Sequence, residues 1–142
     1  MPAKLQTYLF FNGRCQEAAE FYRKAVGVET VMSMRFDEAP DKPPPGMVPD
    51  NWGDKIMHME MRIGENLLLA SDGHSPNPAF NGFRLVYETA SEAECKRAYD
   101  ALRDGGTVDM PLGPTFFAKS YAMLTDKFGV GWMVILPAEQ FQ

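Results

Sequence analysis

Two apolar segments joined by a tight turn make up the stretch 118–136, AKSYAMLTDKFGVGWMVIL. Asp126 and Gly129 supply the turn chemistry, since Asp favours the start of a turn and Gly accepts a positive φ. In the second segment, 130–136, apolar side chains occupy both alternating sets of positions. The pattern predicts a β-hairpin whose returning strand is buried on both faces.

The composition indicates one globular domain with its own core. The chain has 142 residues, of which 45% are hydrophobic and 23% charged, values typical of a globular protein. A net charge of -5 argues against a nucleic-acid partner, because phosphates require a basic surface. No signal peptide and no apolar run of about 20 residues is present, so we expect no membrane partner and a cytoplasmic location. Cys15 and Cys95 have no metal-binding or redox spacing and are expected to be reduced.

A pattern of one strand, one helix and three strands occurs twice along the chain. Amphipathic helices are predicted at about 14–26 and 91–104, and a β-prone segment precedes each of them. The repeat offset of about 77 residues places Thr7 on Arg84 and Tyr8 on Leu85. The sequence therefore predicts an α+β fold in which module 1 covers about 4–71 and module 2 about 80–137, within a single domain 1–142.

The two βαβββ modules are expected to form a cup-shaped mixed sheet with the helices on its outer face. The side chains predicted to pack on the helices are Tyr8, Phe10, Phe83, Leu85, Tyr87, Met57, Met59 and Met61. The remaining strand positions are predicted to face the cavity: Thr7, Leu9, Phe11, His58, Glu60, Arg84, Val86 and Met133.

A proline-rich segment, 37–54, interrupts module 1 and holds five of the eleven prolines. It predicts a long irregular loop that acts as a lid or contacts a partner, because prolines lower the entropy cost of a fixed shape. Trp52 is either the group that closes the site or part of the local core. A second polar segment, 72–78, predicts a linker in which His74 is solvated.

The whole chain resembles the PhnB-like branch of the glyoxalase/bleomycin resistance, or vicinal oxygen chelate, superfamily. The matching motifs are Tyr8-Leu9-Phe10-Phe11, Asn12-Gly13, Glu17-Ala18, Phe21-Tyr22, Lys55-Ile56-Met57-His58, Ser71-Asp72, Gly105-Gly106, Asp126-Lys127-Phe128-Gly129-Val130 and Trp132. The resemblance implies paired βαβββ modules, a cup-shaped site and a homodimer. It does not specify an activity, because the superfamily includes lyases, isomerases, dioxygenases and antibiotic-binding proteins.

Metal-dependent members of that superfamily carry one ligand on each of four strands. The resemblance transfers those positions to Thr7, Glu60, Met133 and Arg84, or to Phe83 if the register differs by one. Only Glu60 is a competent ligand, and a guanidinium repels a cation. We therefore expect no metal site and no other cofactor.

Several candidate site residues have two interpretations. Arg84 either forms an ion pair with Glu60 or recognises a carboxylate or phosphonate-type group. His58 is either a hydrogen-bonded structural residue or, together with Glu60, an acid or base. The aromatic residues Trp52, Phe116, Phe117 and Trp132 are either core or ligand walls.

Three functions are compatible with these residues. The first is binding of a small molecule in an apolar cup by Thr7, Leu9, Phe11, Trp52, Arg84, Phe117, Trp132 and Met133. The second is a lyase or isomerase that uses His58 and Glu60. The third is a domain that acts only through its dimer surface. Methyl transfer, a label that some relatives carry, is disfavoured because no nucleotide or S-adenosylmethionine motif is present.

Overall fold

Each half of the chain forms its own four-stranded mixed sheet with one helix. The computed structural model describes residues 2–73 and 79–142, so His74 and the rest of the linker at 74–78 lie outside the described residues. Contacts divide the chain into two compact units, 1–78 and 79–142. The predicted pair of βαβββ modules is confirmed.

Module 1 contains four strands and one α-helix. Its elements are β1 (Thr7–Phe10), α1 (Cys15–Val26), β2 (Glu29–Arg35), β3 (Ile56–Ile63) and β4 (Asn66–Ser71). The strand order is β1-β4-β3-β2, with β1 parallel to β4 and the other pairs antiparallel. Helix α1 is followed by Gly27, whose φ of 77° is the left-handed conformation that favours glycine at the end of a helix.

Module 2 repeats this arrangement. Its elements are β5 (Leu85–Glu88), α2 (Glu92–Leu102), β6 (Thr107–Gly113), β7 (Ala118–Thr125) and β8 (Gly131–Pro137), in the order β5-β8-β7-β6. The predicted hairpin is β7 and β8, and the alternate residues Trp132, Val134 and Leu136 are buried. The Ser91 hydroxyl caps α2 by accepting from the Glu94 N–H at 3.2 Å.

A short 3-10 helix, Phe36–Glu38, follows β2 directly and leads into the proline-rich loop. Two side chains of the loop, Val48 and Trp52, contact glycines outside it. Phe36 and Val48 pack on the backbone of Gly73, where an added Cβ would come within 2.7 Å of either side chain. Trp52 lies beside Gly13, 3.7 Å from the position of a Cβ there. These contacts favour the local-core interpretation of Trp52, and the lid or partner-contacting role stays a prediction.

The buried carboxylate of Asp72 joins three separate segments of module 1. It is 2% exposed and accepts from the backbone N–H groups of Gly13 at 2.8 Å, Cys15 at 2.7 Å and Ile56 at 2.8 Å. Gly13 belongs to the turn after β1, Cys15 starts α1 and Ile56 starts β3. Hydrogen bonds to a charged group are the stronger kind, so this carboxylate holds the turn, the helix and the strand together.

We predict that Asp72→Asn destabilises the protein by about 3 kcal/mol, because an amide NH₂ would face a backbone N–H that the carboxylate now satisfies. Urea denaturation measures the change in the free energy of unfolding. Asp104→Asn is the matched control, since Asp104 is exposed. Equal stability of the two variants would contradict this account of Asp72.

Candidate functional site

The side of the module 1 sheet away from α1 carries a group of polar side chains. Pairing places Tyr8 beside Leu69 and Leu69 beside Glu60, and residues directly opposite one another in a sheet share a face. His58 lies on the same face as Glu60, two residues away on β3. The structure thus brings Tyr8, His58 and Glu60 together.

The predicted orientation of β1 is wrong by one residue. Leu9 is 1% exposed and Phe11 4% exposed, and the rings of Phe11 and Tyr22 of α1 are 6.2 Å apart. Thr7 pairs with Leu68, and Leu68 pairs with the buried Met61. Thr7 therefore lies on the same face of the sheet as Leu9, the face that α1 covers. Thr7, Leu9 and Phe11 thus lie on the helix-covered face of module 1, and their part in ligand binding stays a prediction.

The physical reason is one extra residue in the turn before α1. Helix α1 starts at Cys15 and α2 at Glu92, 77 positions later, whereas β1 starts at Thr7 and β5 at Leu85, 78 positions later. Asn12 and Gly13 accommodate the extra residue with φ values of 51° and 98°. A one-residue shift in a strand exchanges its faces, so Tyr8 of module 1 does not correspond to Leu85.

A hydrogen-bond chain links three side chains of this face. The Tyr8 hydroxyl lies 2.8 Å from His58 Nδ1, and His58 Nε2 lies 3.1 Å from a carboxylate oxygen of Glu60. The side chains of His58 and Glu60 are 24% and 35% exposed. Both His58 nitrogens therefore have a partner, while the side chains remain accessible.

The partners determine the direction of each hydrogen bond. An ionised Glu60 only accepts, so Nε2 of a neutral His58 carries the hydrogen and Nδ1 accepts from the Tyr8 hydroxyl. Burial is the largest influence on Tyr8 and raises the pKa of its phenol, against the opposing effect of a Ser71 hydrogen bond. Tyr8 thus keeps its proton at neutral pH.

Apolar side chains surround this chain. Tyr8 and Phe10 stack with ring centroids 4.9 Å apart, and pairing with β3 places Met34 opposite His58 and Met32 opposite Glu60. Phe10, Met32, Met34 and Leu69 are only partly buried. The polar chain therefore sits in a partly open apolar surface, an environment that strengthens electrostatic interactions.

Arg84 has its acidic partner within module 2. Its Nη2 lies 3.0 Å from Asp109, and its Nη1 donates to the carbonyl oxygens of Leu124 at 2.9 Å and Trp132 at 3.4 Å. Thr125 also donates to Asp109, at 2.8 Å. Arg84 thus forms a half-buried ion pair, but with Asp109 in place of the predicted Glu60.

The other predicted site residues of module 2 differ in accessibility. Trp132 is 4% exposed, and its indole N–H donates to the buried Asp126 at 2.9 Å, which favours the core interpretation, while its part in ligand binding stays a prediction. Phe117 packs edge-on against Phe116 and Tyr121. Met133 lies on the opposite face of β8 from Trp132 and lines a cavity.

Two predictions of helix packing have different outcomes. Tyr87 does reach α2, where its hydroxyl donates to Glu94 at 2.7 Å. Phe83 precedes β5 and is 44% exposed, so its predicted packing on a helix is wrong.

In module 1, Trp52 lines a cavity of about 360 Å³ within the proline-rich loop.

The residues at the transferred metal-ligand positions do not fit a metal ion. Thr7 and Glu60 lie on opposite faces of their sheet, and Arg84 brings a positive charge that Asp109 already pairs. Tyr8 shares the face of Glu60, but its raised pKa opposes the phenolate that a metal requires. Within residues 2–73 and 79–142, no group of three His, Cys, Asp or Glu side chains is placed to hold a metal.

Sequence reasoning missed two residues of these clusters, Tyr8 and Asp109. The orientation of Tyr8 could have been found from the turn between the first strand and the helix, which is one residue longer in module 1 than in module 2. Asp109 lies at a register shift between Val108 and Met110, and a bulge of this kind redirects side chains without a sequence pattern that alternation reveals.

We predict that neutral His58 is the Nε2-protonated tautomer, because Glu60 accepts at that nitrogen. Long-range ¹⁵N–¹H NMR in mildly alkaline buffer reports the tautomer, and His58→Gln assigns the signal. Tyr8→Phe should preserve the tautomer, whereas Glu60→Ala should weaken the preference, because only the Tyr8 hydroxyl then favours it. A dominant Nδ1-protonated form in the unsubstituted protein would contradict the described chain.

The chain is similar to proteins of known sequence and structure over nearly its full length. It is 32% identical to protein YjdN of Escherichia coli strain K12, across 96% of this chain and 97% of that protein. A crystal structure of PA1353 from Pseudomonas aeruginosa is 39% identical, covers 95% of this chain and 98% of its own, and has a TM-score of 0.84. A Bacillus cereus PhnB protein, described as a putative 3-demethylubiquinone-9 3-methyltransferase, is 26% identical with a TM-score of 0.77, covering 94% of this chain and 99% of its own.

More distant structures share the fold alone. A glyoxalase/bleomycin resistance/dioxygenase domain and a fosfomycin resistance protein, each 10% identical to this chain, have TM-scores of 0.63 and 0.65. The family model described as 3-demethylubiquinone-9 3-methyltransferase matches residues 3–135. Together with the two βαβββ modules, these matches show that the chain belongs to the family described as 3-demethylubiquinone-9 3-methyltransferase and has the fold of the glyoxalase/bleomycin resistance proteins.

Proposed function

We propose that the protein binds a small organic molecule on the open face of the module 1 sheet, where Tyr8, His58 and Glu60 orient it. The observation that carries the proposal is the hydrogen-bond chain from Tyr8 through His58 to Glu60 within an apolar, partly exposed surface. Ligand sites typically combine apolar walls with a few placed polar groups. A cup shared with module 2 stays a prediction from the sequence.

The surroundings indicate the chemistry of the ligand. Phe10, Met32, Met34 and Leu69 offer apolar and polarisable contacts, and methionine adapts its shape to varied partners. Tyr8 and His58 offer one hydroxyl and one imidazole in fixed positions. The ligand class that matches is a mainly apolar, aromatic or alicyclic molecule with one hydroxyl or carbonyl oxygen.

The same chain supports a second candidate function, acid–base catalysis of the lyase or isomerase type. With the Nε2–H directed at Glu60, His58 takes a proton from a ligand at Nδ1 once the Tyr8 hydroxyl turns from Nδ1 to the ligand. Tyr8, with its raised pKa, keeps a hydrogen that it can donate to a developing oxyanion. This second function needs no metal, and we propose that the protein works without one or any other cofactor.

Partners and location remain proposals of the same kind. We expect a homodimer, which the family resemblance implies, and a cytoplasmic protein. None of the helices in the described part of the chain has the length and apolar character needed to cross a membrane. The family description names methyl transfer, but the sequence contains no glycine-rich nucleotide motif. The proposed function is therefore argued from Tyr8, His58 and Glu60 and not from that description.

We predict that 2-naphthol, an apolar aromatic molecule with one hydroxyl, binds this face. Tyr8→Phe and His58→Gln should each weaken its binding roughly fivefold to tenfold, the effect of losing about one hydrogen bond. Fluorescence titration measures the Kd, and amide shifts on β1 and β3 locate the site. Naphthalene, which lacks the hydroxyl, should bind all variants equally.

Tyr87→Phe is the matched control for Tyr8→Phe, because the Tyr87 hydroxyl bonds to Glu94 on the helix-covered face of module 2. It should leave 2-naphthol affinity unchanged. If folded Tyr8→Phe and His58→Gln variants bind 2-naphthol as tightly as the unsubstituted protein, the orienting role of the chain is ruled out.

The catalytic candidate has its own test. We predict that the protein accelerates exchange of the acidic C–H hydrogens of 1-phenyl-2-propanone in D₂O, with His58 taking the proton and Tyr8 stabilising the enolate oxygen. Proton NMR follows the loss of the C–H signal. His58→Gln should reduce the rate to the buffer background. Equal rates with and without the protein would leave binding as the supported function.

A further inference from the structure

A cavity of about 580 Å³ lies in module 2, and its described lining residues all belong to that module. Its walls come from the segment before β5, the end of β7 and the start of β8. Phe80, Phe83 and Met133 supply apolar surface, and Phe83 is 44% exposed. The volume is within the range of small-molecule sites.

Arg84 is the charged residue among the described residues that line this cavity. Its aliphatic stem lies across Gly131, where a Cβ would come within 3.0 Å of Arg84 Cγ. Any side chain at Gly131 would displace that stem. The absence of a side chain at Gly131 therefore determines where the guanidinium is held.

Three contacts hold the guanidinium in place. Asp109 pairs with Nη2, and the carbonyl oxygens of Leu124 and Trp132 accept from Nη1. Asp109 is not one of the lining residues, so the cavity faces the cation and not the carboxylate. The Thr125 hydroxyl, followed by Arg84, lowers the pKa of Asp109, so Asp109 stays charged at neutral pH.

A guanidinium has five N–H donors in a rigid plane, and these three contacts use three of them. Within the part of the chain that the structure describes, the Nε–H and one Nη2 hydrogen of Arg84 remain for a ligand. An arginine already fixed by its neighbours loses little conformational entropy when it binds. A guanidinium that is held in place and keeps two N–H donors favours a carboxylate, whose two oxygens match its planar geometry.

We propose that this cavity is a second binding site, which takes a small aromatic carboxylate. The carboxylate contacts Arg84, and the aromatic ring packs against Phe80, Phe83 and Met133. The proposal uses none of the residues of the Tyr8–His58–Glu60 chain and does not depend on the function proposed for them.

The test uses benzoate as the probe and benzamide as its uncharged counterpart. In an NMR titration of the full chain, benzoate should shift the amide signals of Gly82, Gly129 and Gly131 and bind at least tenfold tighter than benzamide. Equal affinities, or benzoate shifts located on β1 and β3 instead, would overturn the proposal. This comparison needs no variant, so it is decisive even where a substitution prevents folding.

Arg84→Met keeps the straight stem and removes the charge, and it should weaken benzoate binding about tenfold or more. Arg97→Met is the matched control, because Arg97 lies on the exposed side of α2 and pairs with Glu94. Benzoate affinity should be unchanged in that variant. An Arg84→Met protein that folds and binds benzoate like the unsubstituted chain would refute the assignment.

Discussion

The hydrogen bonds accepted by the buried Asp72 carboxylate determine the geometry of module 1. Asp72 directly follows β4 and accepts from Ile56, the first residue of β3, while its own N–H donates to the Ile56 carbonyl. It also accepts from Gly13 and Cys15, which connect β1 to α1. These bonds fix the relative register of β1, β3 and β4. That register places Tyr8 of β1 against His58 of β3, so a structural carboxylate controls a candidate chemical site.

Module 2 uses a second buried carboxylate in a different place. Asp126 opens the β7–β8 turn and accepts from the N–H groups of Phe128 and Val130 and from the Trp132 indole. The first two bonds close the turn, and the third anchors a large core side chain to it. Both carboxylates are nearly fully buried and fully used by N–H donors, which is the condition under which a buried charge stabilises a fold.

The sequence was sufficient to predict the strands and helices, and their repetition, because periodic apolar patterns determine them. It also predicted that His58 and Glu60 share a face, since β3 alternates cleanly. The orientation of β1 was not predictable in the same way. Residues 8–11 are all apolar, so alternation carries no information there, and the repeat offset differs by one residue between strand and helix. The acidic partner of Arg84 was wrong for a related reason, because Asp109 lies at a bulge.

The one-residue difference between the modules has a chemical consequence. In module 2, Leu85 and Tyr87 of β5 lie on the face that α2 covers, as the Tyr87–Glu94 hydrogen bond shows. In module 1, the turn between β1 and α1 is one residue longer. Tyr8 therefore lies on the open face of the sheet, and Leu9 and Phe11 are buried in the core. The same fold therefore presents a phenol, an imidazole and a carboxylate in one module and a fixed guanidinium in the other. Since helix packing constrains only one face of each sheet, the open faces can acquire different chemistry while the core of each module is preserved.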